Sequence, residues 1–320
     1  MDARLSTGKT LLVGQCPMSV VWLNRCKQKL QTSTIRTIPT MSASSLKSFA
    51  PEICSLICQD PILTRRDLNS ICLISHAFRK EAQRLLSYRF PCLRSTSRIK
   101  AWCMSLKRRP RLSKGVQELV LFLPPQGDFH ADDVARLVRT LRMCVNLKEL
   151  TILSQLRKRG LQGQWIPELI LGNLPFTLTK FVNGYFVQNR AFLTFLNSQK
   201  MLETLKLHWN FENPPGCPYL PFLKTLSWPA DIGTKWHNFP LYNFPRLQRL
   251  RVDFENWNER DDYFGNFMRR IGYNMKLKSL VIFLDRKPGD HFLQIIRSIT
   301  ELGLRIKYLQ IHQFQLLVRS

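Results

Sequence analysis

The segment Leu202-Glu203-Thr204-Leu205-Lys206-Leu207 has apolar residues at its first, fourth and sixth positions, and this pattern decides the fold. The same pattern begins at residues 116, 147, 223, 247, 277 and 306, and a shorter copy begins at Leu178. The central apolar residues of these eight copies are 31, 31, 24, 21, 24, 30 and 29 residues apart. Alternation of this kind indicates short strands with one buried face, and a recurrence of roughly 20–29 residues is typical of leucine-rich repeats.

Amphipathic stretches separate several of these copies. Residues 132–144, 261–274 and 290–302 place apolar side chains at helical spacing. Strands that alternate with helices favour a parallel sheet with right-handed crossovers, and the recurring period favours a solenoid over a doubly wound sheet. The sequence therefore predicts an α/β fold, with a leucine-rich-repeat-like solenoid of short parallel strands and helices over residues 115–320.

Residues 46–90 have a helical pattern instead. Pro51 and Glu52 fit a first helical turn, and Ile53, Leu56 and Ile57 follow at helical spacing. Asp60-Pro61 ends this helix, and a second helical stretch can begin near Thr64. Short helices in about forty-five residues bury little surface alone, so we expect this segment to need a partner or the adjoining domain.

Two stretches of this segment resemble a known family. One is Phe49-Ala50-Pro51-Glu52-Ile53, and the other runs from Asp67-Leu68 through Leu73-Ile74-Ser75 to Phe78-Arg79. They are similar to the Leu-Pro-x-Glu-Ile/Leu opening and the Asp-Leu-x-x-hydrophobic-x-Leu-Val-Ser-x-x-Phe/Trp-Arg motif of fungal F-box proteins with a leucine-rich-repeat-like target-binding region. The likeness extends over residues 46–320 and is densest in residues 49–90.

The resemblance implies that the helical segment and the repeats bind different partners. A small three-helix F-box would bind the acidic Skp-type adaptor, and through it the cullin, of a cullin–RING (SCF-type) ubiquitin ligase, while the repeats hold an unknown protein substrate. The implied adaptor-binding residues are Phe49, Pro51, Ile53, Leu56, Ile57, Leu68 and Ile74. Some of these side chains could instead pack the helices together. We expect packing for Leu56, Ile71 and Phe78, and adaptor contact for Pro51, Ile53 and Leu68.

In a repeat solenoid, the residues between the apolar positions face the concave surface. The candidate substrate-binding residues are therefore Lys206, His208, Arg249, Arg251, Asp253, Tyr308 and Gln310. Most of them should be plain solvated side chains, because a few residues dominate any interface. The asparagine that ties successive turns in the family is kept only at Asn210, whereas the equivalent positions hold Gln155, Asp231, Glu255 and Asp285.

The formal net charge of +26 suggests a second hypothesis. Residues 61–114 contain fourteen Lys/Arg against Asp67 and Glu81, a net charge of +12. This balance fits a basic surface for an acidic protein or for nucleic acid, and equally fits solvated helix faces. The alternative functions are a basic nucleic-acid-binding repeat protein, with Lys107-Arg108-Arg109, Arg111 and Lys114 as the contact patch, and a free-standing protein-interaction scaffold with a non-functional F-box.

The remaining sequence features limit which classes of protein this chain can belong to. Residues 1–45, with six Lys/Arg and one acid, predict a disordered basic leader, and residues 91–114 predict a basic linker helix. The sequence contains no run of eighteen or more uncharged apolar residues, so it predicts no membrane span.

Nine cysteines without a C-x-x-C pair indicate a reducing compartment, cytoplasmic or nuclear, and no structural zinc site. No G-x-S-x-G, G-x-G-x-x-G or H-E-x-x-H motif occurs, so we expect neither an enzyme nor a cofactor.

Overall fold

The structure is a computed structural model that describes residues 50–60, 62–124, 129–155, 170–172, 174–186, 189–208, 218–231, 243–255, 277–284 and 307–313. The chain divides into two compact units, residues 1–54 and residues 55–320. The predicted leader, residues 1–45, lies outside the described residues. So do the predicted helices over residues 261–274 and 290–302.

Three helices form the first described part of the chain. They are α1 (Pro51–Cys58), α2 (Arg65–Ile71) and α3 (His76–Arg89). The Thr64 hydroxyl accepts from the backbone N–H of Asp67, whose carboxylate accepts from the backbone N–H of Thr64, so a capping box starts α2. The Ser75 hydroxyl accepts from the backbone N–H of Phe78 and starts α3. These two caps explain why the second predicted helical stretch consists of two separate helices.

The predicted linker helix contains more structure than the pattern indicates. A short strand, β1 (Cys92–Leu93), precedes helix α4 (Thr96–Arg108) and a 3-10 helix (Pro110–Gly115). Pro110 lies in the first turn of the 3-10 helix, where the backbone N–H would have no acceptor within the helix, so proline costs no hydrogen bond there. Residues 91–114 therefore contribute a ninth strand that the repeat pattern does not reveal.

Eight further strands follow, one for each copy of the repeated pattern. They are β2 (Glu118–Leu123), β3 (Glu149–Ser154), β4 (Lys180–Gly184), β5 (Thr204–Leu207), β6 (Thr225–Asp231), β7 (Arg249–Glu255), β8 (Ser279–Leu284) and β9 (Tyr308–Gln313). Helix α5 (Ala131–Met143) lies between β2 and β3, and helix α6 (Arg190–Ser198) lies between β4 and β5. The nine strands of the described residues are all parallel and lie in sequence order in one sheet. The predicted α/β class with short parallel strands is confirmed.

The pairing of the strands follows the repeat register. The central apolar residues of successive copies are direct neighbours, from Leu119 opposite Leu150 to Leu280 opposite Leu309. At each junction from β2/β3 to β8/β9, one carbonyl accepts from two successive N–H groups of the next turn, as Gln117 does from Lys148 and Glu149. The same pair of hydrogen bonds therefore recurs once per copy of the sequence pattern, so each copy corresponds to one structural repeat.

The core lies on one face of the sheet. In β2 the side chains alternate between half-buried and buried, and Leu119, Leu121 and Leu123 are the buried set. Helix α6 covers the core face of β4, where Phe181 packs edge-on against Phe195 with ring centroids 5.2 Å apart. Such burial of apolar area is the main stabilising term of the fold.

Buried Arg89 connects the helical segment to the sheet. Its guanidinium donates from Nη1 to the carbonyl of Asp60 at 3.1 Å and from Nη2 to Oε1 of Gln117 at 3.1 Å. The carbonyl of Arg89 accepts from the backbone N–H of Gln117 at 2.9 Å. The two bonds with Gln117 join residues that we expected in separate domains, 46–90 and 115–320. From Ser55 onward the chain is one compact unit.

Candidate functional site

The non-core side chains of β2–β9, here called the open sheet face, contain the predicted substrate-binding residues. The strand register places Thr204, Thr225, Arg249, Ser279 and Tyr308 in one row across the sheet. The next row contains Lys206, Ser227, Arg251, Val281 and Gln310. Neighbouring strands are about 4.8 Å apart, so each row forms a continuous line of side chains. The alternation that predicts these positions is thus present in the sheet.

Arg251 is held in one orientation on this face. Its Nε donates to Oδ1 of Asp253 at 2.8 Å, and its Nη2 donates to Oδ2 at 3.2 Å. The guanidinium lies 3.9 Å from the centroid of the Phe283 ring. A planar guanidinium that is paired and stacked loses little freedom on binding, and its Nη1 donors stay available to a partner.

His208 lies beside Gly184 on this face. A Cβ at Gly184 would lie 2.8 Å from Cδ2 of Leu153 and 3.3 Å from Cδ2 of His208, so the glycine lets both side chains approach β4. Partial burial lowers the pKa of His208 below its usual value; Asp253 opposes this shift, while Arg251 and Lys206 add to it. His208 is therefore predominantly a neutral hydrogen-bonding group at neutral pH.

The part of the open sheet face on β2–β4 is different in character. Val120, Phe122 and Leu153 are half-buried there, beside the carboxylates of Glu118 and Glu149. Burial, and next the charge of Glu149, raise the pKa of Glu118. The sequence prediction missed these residues, although they occupy the same intervening positions of the first two copies. The open sheet face has an apolar and acidic part on β2–β4 and a cationic, hydroxyl-rich part on β5–β8.

The predicted adaptor-binding residues differ in exposure. Pro51, Ile53 and Ile74 are exposed, Ile57 is half-buried, and Phe49 lies outside the described residues. Leu68 is 0% exposed, because it shares with Ile71 the face of α2 that packs against α3. The expected contact role of Leu68 is therefore corrected to a packing role.

Leu56 requires the opposite correction. We expected it to pack, but it is 68% exposed. Cys54 and Cys58, four residues apart, are the fully buried residues of α1. Leu56 lies midway between them in sequence, which places it on the opposite side of the helix. The exposed apolar residues of the second compact unit near these helices are Leu56, Ile62, Leu73 and Ile74, here called the exposed apolar set.

No metal centre emerges from the described residues. No three side chains of His, Cys, Asp or Glu among them come together as metal ligands would. Within the same part of the chain, no helix has the length and apolar character required to cross a bilayer. Cys72, Cys92, Cys103 and Cys144 carry free thiols.

Comparison with known proteins adds no further assignment. No model of a known protein family matches the chain. No curated protein matches its sequence either.

Proposed function

We propose that this protein is the substrate-recognition subunit of a cullin–RING ubiquitin ligase of the SCF type. Helices α1–α3 act as an F-box that binds an acidic Skp-type adaptor and, through it, a cullin. The leucine-rich-repeat-like strands hold a protein substrate. The reaction is promoted by proximity, because the subunit brings its substrate close to the conjugating enzyme and supplies no reactive group.

The observation that most supports the proposal is the exposed apolar set on and between the helices. Ile62, Leu73 and Ile74 are 72%, 80% and 52% exposed, all within 21 residues of Leu56. Five of the ten large apolar side chains that are exposed among the described residues lie between Ile53 and Ile74. Exposed apolar side chains concentrated in one short segment favour a surface that a partner covers.

The charge of the same segment fits the chemistry of the proposed partner. Arg65, Arg66, Arg79 and Lys80 are exposed on α2 and α3. Cationic side chains around an apolar contact accelerate encounter with an acidic protein and suppress wrong partners. The exposed apolar set would supply the affinity for the adaptor, and the four cations would steer the acidic adaptor towards it during encounter.

The open sheet face supports the second part of the proposal. An extended peptide could contact its apolar side chains on β2–β4 and place acidic residues against Lys206 and Arg249, which are exposed. Arg251 adds a fixed guanidinium to the same row as Lys206. The free thiols of Cys72, Cys92, Cys103 and Cys144 are in keeping with a cytoplasmic or nuclear ligase.

The proposal is tested by recovering the adaptor on the tagged full-length chain. Purified Skp-type adaptor and cullin are incubated with the wild type and with a Leu56→Asp/Ile74→Asp variant. We expect stoichiometric recovery by the wild type and at least about a tenfold loss by the variant, because a buried unpaired carboxylate costs several kcal/mol at an interface. Both side chains are exposed, so the substitutions leave the fold intact.

The matched control is Val145→Asp/Met201→Asp, which changes two exposed apolar residues outside the helical segment. This variant should recover as much adaptor as the wild type. Equal recovery by all three proteins would show that the exposed apolar set does not bind the adaptor. A folded wild type that recovers no adaptor would overturn the ligase proposal in favour of a free-standing interaction scaffold.

A further inference from the structure

Helix α4, the 3-10 helix and helix α5 expose many cations and few acids. The exposed cations are Arg98, Lys107, Arg108, Arg109, Arg111, Lys114, Arg139 and Arg142. Asp132 is the one exposed acid of these three helices. None of the eight cations forms an ion pair with another residue in the described part of the chain. A cluster of unpaired like charges repels itself, so it favours a polyanionic partner.

A pocket of about 240 Å³ lies between α4 and α5 within this cluster. Its lining includes Lys107, Arg136, Arg139, Thr140 and Cys103, with Asp132 as the acid among the lining residues. A phosphate group fits a volume of this size, and its oxygens could accept from the ammonium and guanidinium groups at the wall. Arg108 and Arg109 line a second depression beside α4.

Two cations of the helix pair share one buried carboxylate. Buried Asp133 accepts from Nζ of Lys100 at 2.8 Å, and Nη1 of Arg136 lies 3.5 Å from its other oxygen. The Lys100 hydrogen bond is the largest factor that lowers the pKa of Asp133, so its carboxylate is ionised at neutral pH. Burial raises the pKa of the Cys103 thiol, which stays neutral. Of the three cations in the pocket lining, Arg136 is paired with Asp133, whereas Lys107 and Arg139 form no ion pair in the described part of the chain.

The character of the surface distinguishes between two kinds of polyanion. Protein interfaces rely on buried aromatic and apolar anchors, whereas protein–nucleic acid interfaces are more polar and far more positive. On the described residues of these three helices, Met104 is the one exposed large apolar side chain. A helix of thirteen residues is about 20 Å long, which equals about six base pairs of duplex.

We infer that the surface formed by α4, the 3-10 helix and α5 binds the phosphate backbone of duplex nucleic acid. The pocket between α4 and α5 seats one phosphate between Lys107 and Arg139, and Arg108, Arg109, Arg111, Lys114 and Arg142 meet neighbouring phosphates. No exposed aromatic side chain on these helices offers a base a stacking partner, so the binding is independent of sequence. This surface does not depend on the proposed adaptor or substrate contacts.

The test is the fluorescence anisotropy of a fluorescein-labelled 20-base-pair DNA duplex titrated with the full-length protein between 50 and 200 mM salt. The variant is Lys107→Gln/Arg139→Gln/Arg142→Gln. The logarithm of the association constant falls by about 0.9 per logarithm of salt for each phosphate neutralised. We therefore expect the variant to have a slope shallower by about 2.7, and to bind at least about tenfold more weakly near 0.1 M salt.

The matched control is Lys148→Gln/Lys200→Gln/Lys278→Gln, which removes the same charge from three exposed lysines elsewhere. It should keep the wild-type slope within about one unit. An equal loss in the control would overturn the inference, because it would show attraction by net charge alone. Absence of saturable duplex binding at 50 mM salt would also overturn it.

A third outcome concerns an acidic protein as the occupant. If the wild type ignores the duplex but the Lys107/Arg139/Arg142 variant loses recovery of the acidic adaptor, the surface binds protein and the nucleic-acid inference is wrong. Adaptor recovery and duplex binding are separate readouts, so failure of one proposal is distinguishable from failure of the other.

Discussion

Polar side chains bond backbone groups both within one turn and between successive turns of this molecule. Gln155 occupies a position where a regular leucine-rich-repeat pattern would have asparagine, and its Nε2 donates to the carbonyl of Phe122, one strand earlier, at 2.7 Å. Buried Asn183 accepts from the backbone N–H of Phe186 at 2.9 Å and donates to its carbonyl at 2.8 Å. Glutamine at position 155 thus makes a bond between turns, so the change from asparagine does not remove the connection there.

Arg89 allows a direct test at the residue scale. We expect Arg89→Leu to lower the free energy of unfolding by about 3 kcal/mol, because the Asp60 carbonyl and the Gln117 amide lose a charged donor in a buried place. Urea denaturation followed by circular dichroism measures the change. Arg84→Leu on the same helix is the control; its exposed pair with Glu81 should contribute less than about 1 kcal/mol. Equal losses would show that Arg89 is no more than a surface residue.

At the scale of elements, α4 and α5 pack through an apolar stripe with one ion pair at its side. Ile99, Cys103 and Leu106 of α4 belong to the same core cluster as Val134, Leu137 and Leu141 of α5. Lys100 and Asp133 add the 2.8 Å contact between the two helices. Because Asp133 is buried and Lys100 is partly exposed, the pair stabilises the packing only while the carboxylate is ionised.

The pair makes stability depend on pH in a defined window. The folded pKa of Asp133 lies below its usual value, so its contribution is full at pH values above the usual pKa and is lost as the pH falls through the folded pKa. We expect Asp133→Asn to cost about 2 kcal/mol at pH 7 and progressively less below about pH 4. Thermal unfolding of both proteins between pH 3 and 7 measures this difference.

The exposed neighbour Asp132 supplies the control for this pH experiment. Asp132→Asn removes a charge from the same first turn of α5 and should cost less than about 1 kcal/mol. A difference between wild type and Asp133→Asn that stays constant from pH 3 to 7 would exclude an ionised Asp133 as its source.

At the scale of the whole molecule, the chain from Ser55 onward forms one compact unit, and one continuous core cluster extends from β1 to β8. Leu93 of β1 and Ile99 of α4 belong to the same buried cluster as Leu250 of β7 and Ile282 of β8. The backbone N–H of Val120 donates to the carbonyl of Pro91 at 3.0 Å, next to β1. Removing the segment before β2 would expose both an apolar face and the edge of the sheet.

We therefore expect a fragment of residues 115–320 to aggregate or to unfold at a lower urea concentration than residues 46–320. The physical reason is the loss of α4 and β1 from the core cluster together with the Arg89 bonds. Size-exclusion chromatography and urea denaturation of the two fragments measure this. A monomeric 115–320 fragment with an unchanged urea midpoint of unfolding would show instead that the repeat strands fold without the segment before them.

Some residues of the candidate surfaces can be predicted from the local sequence pattern, and others cannot. The intervening positions of the repeats predict which side chains lie on the non-core face of the sheet, since alternation is a property of each strand. The residues on β2 and β3 could have been found by the same rule applied to the first two copies. The exposure of Leu56 and the burial of Leu68 could not, because helical spacing alone does not say which face another helix covers.

The sequence by itself determined the α/β class, the eight repeated strands and their register, because the apolar period acts within each strand and repeats along the chain. Tertiary structure decided the ninth strand, the union of the helical segment with the sheet through Arg89, and the exposed apolar set. It also brought α4 and α5 together around one pocket with Lys107 and Arg139 in its wall. These features depend on contacts between residues far apart in sequence, and such contacts form only when the whole core packs.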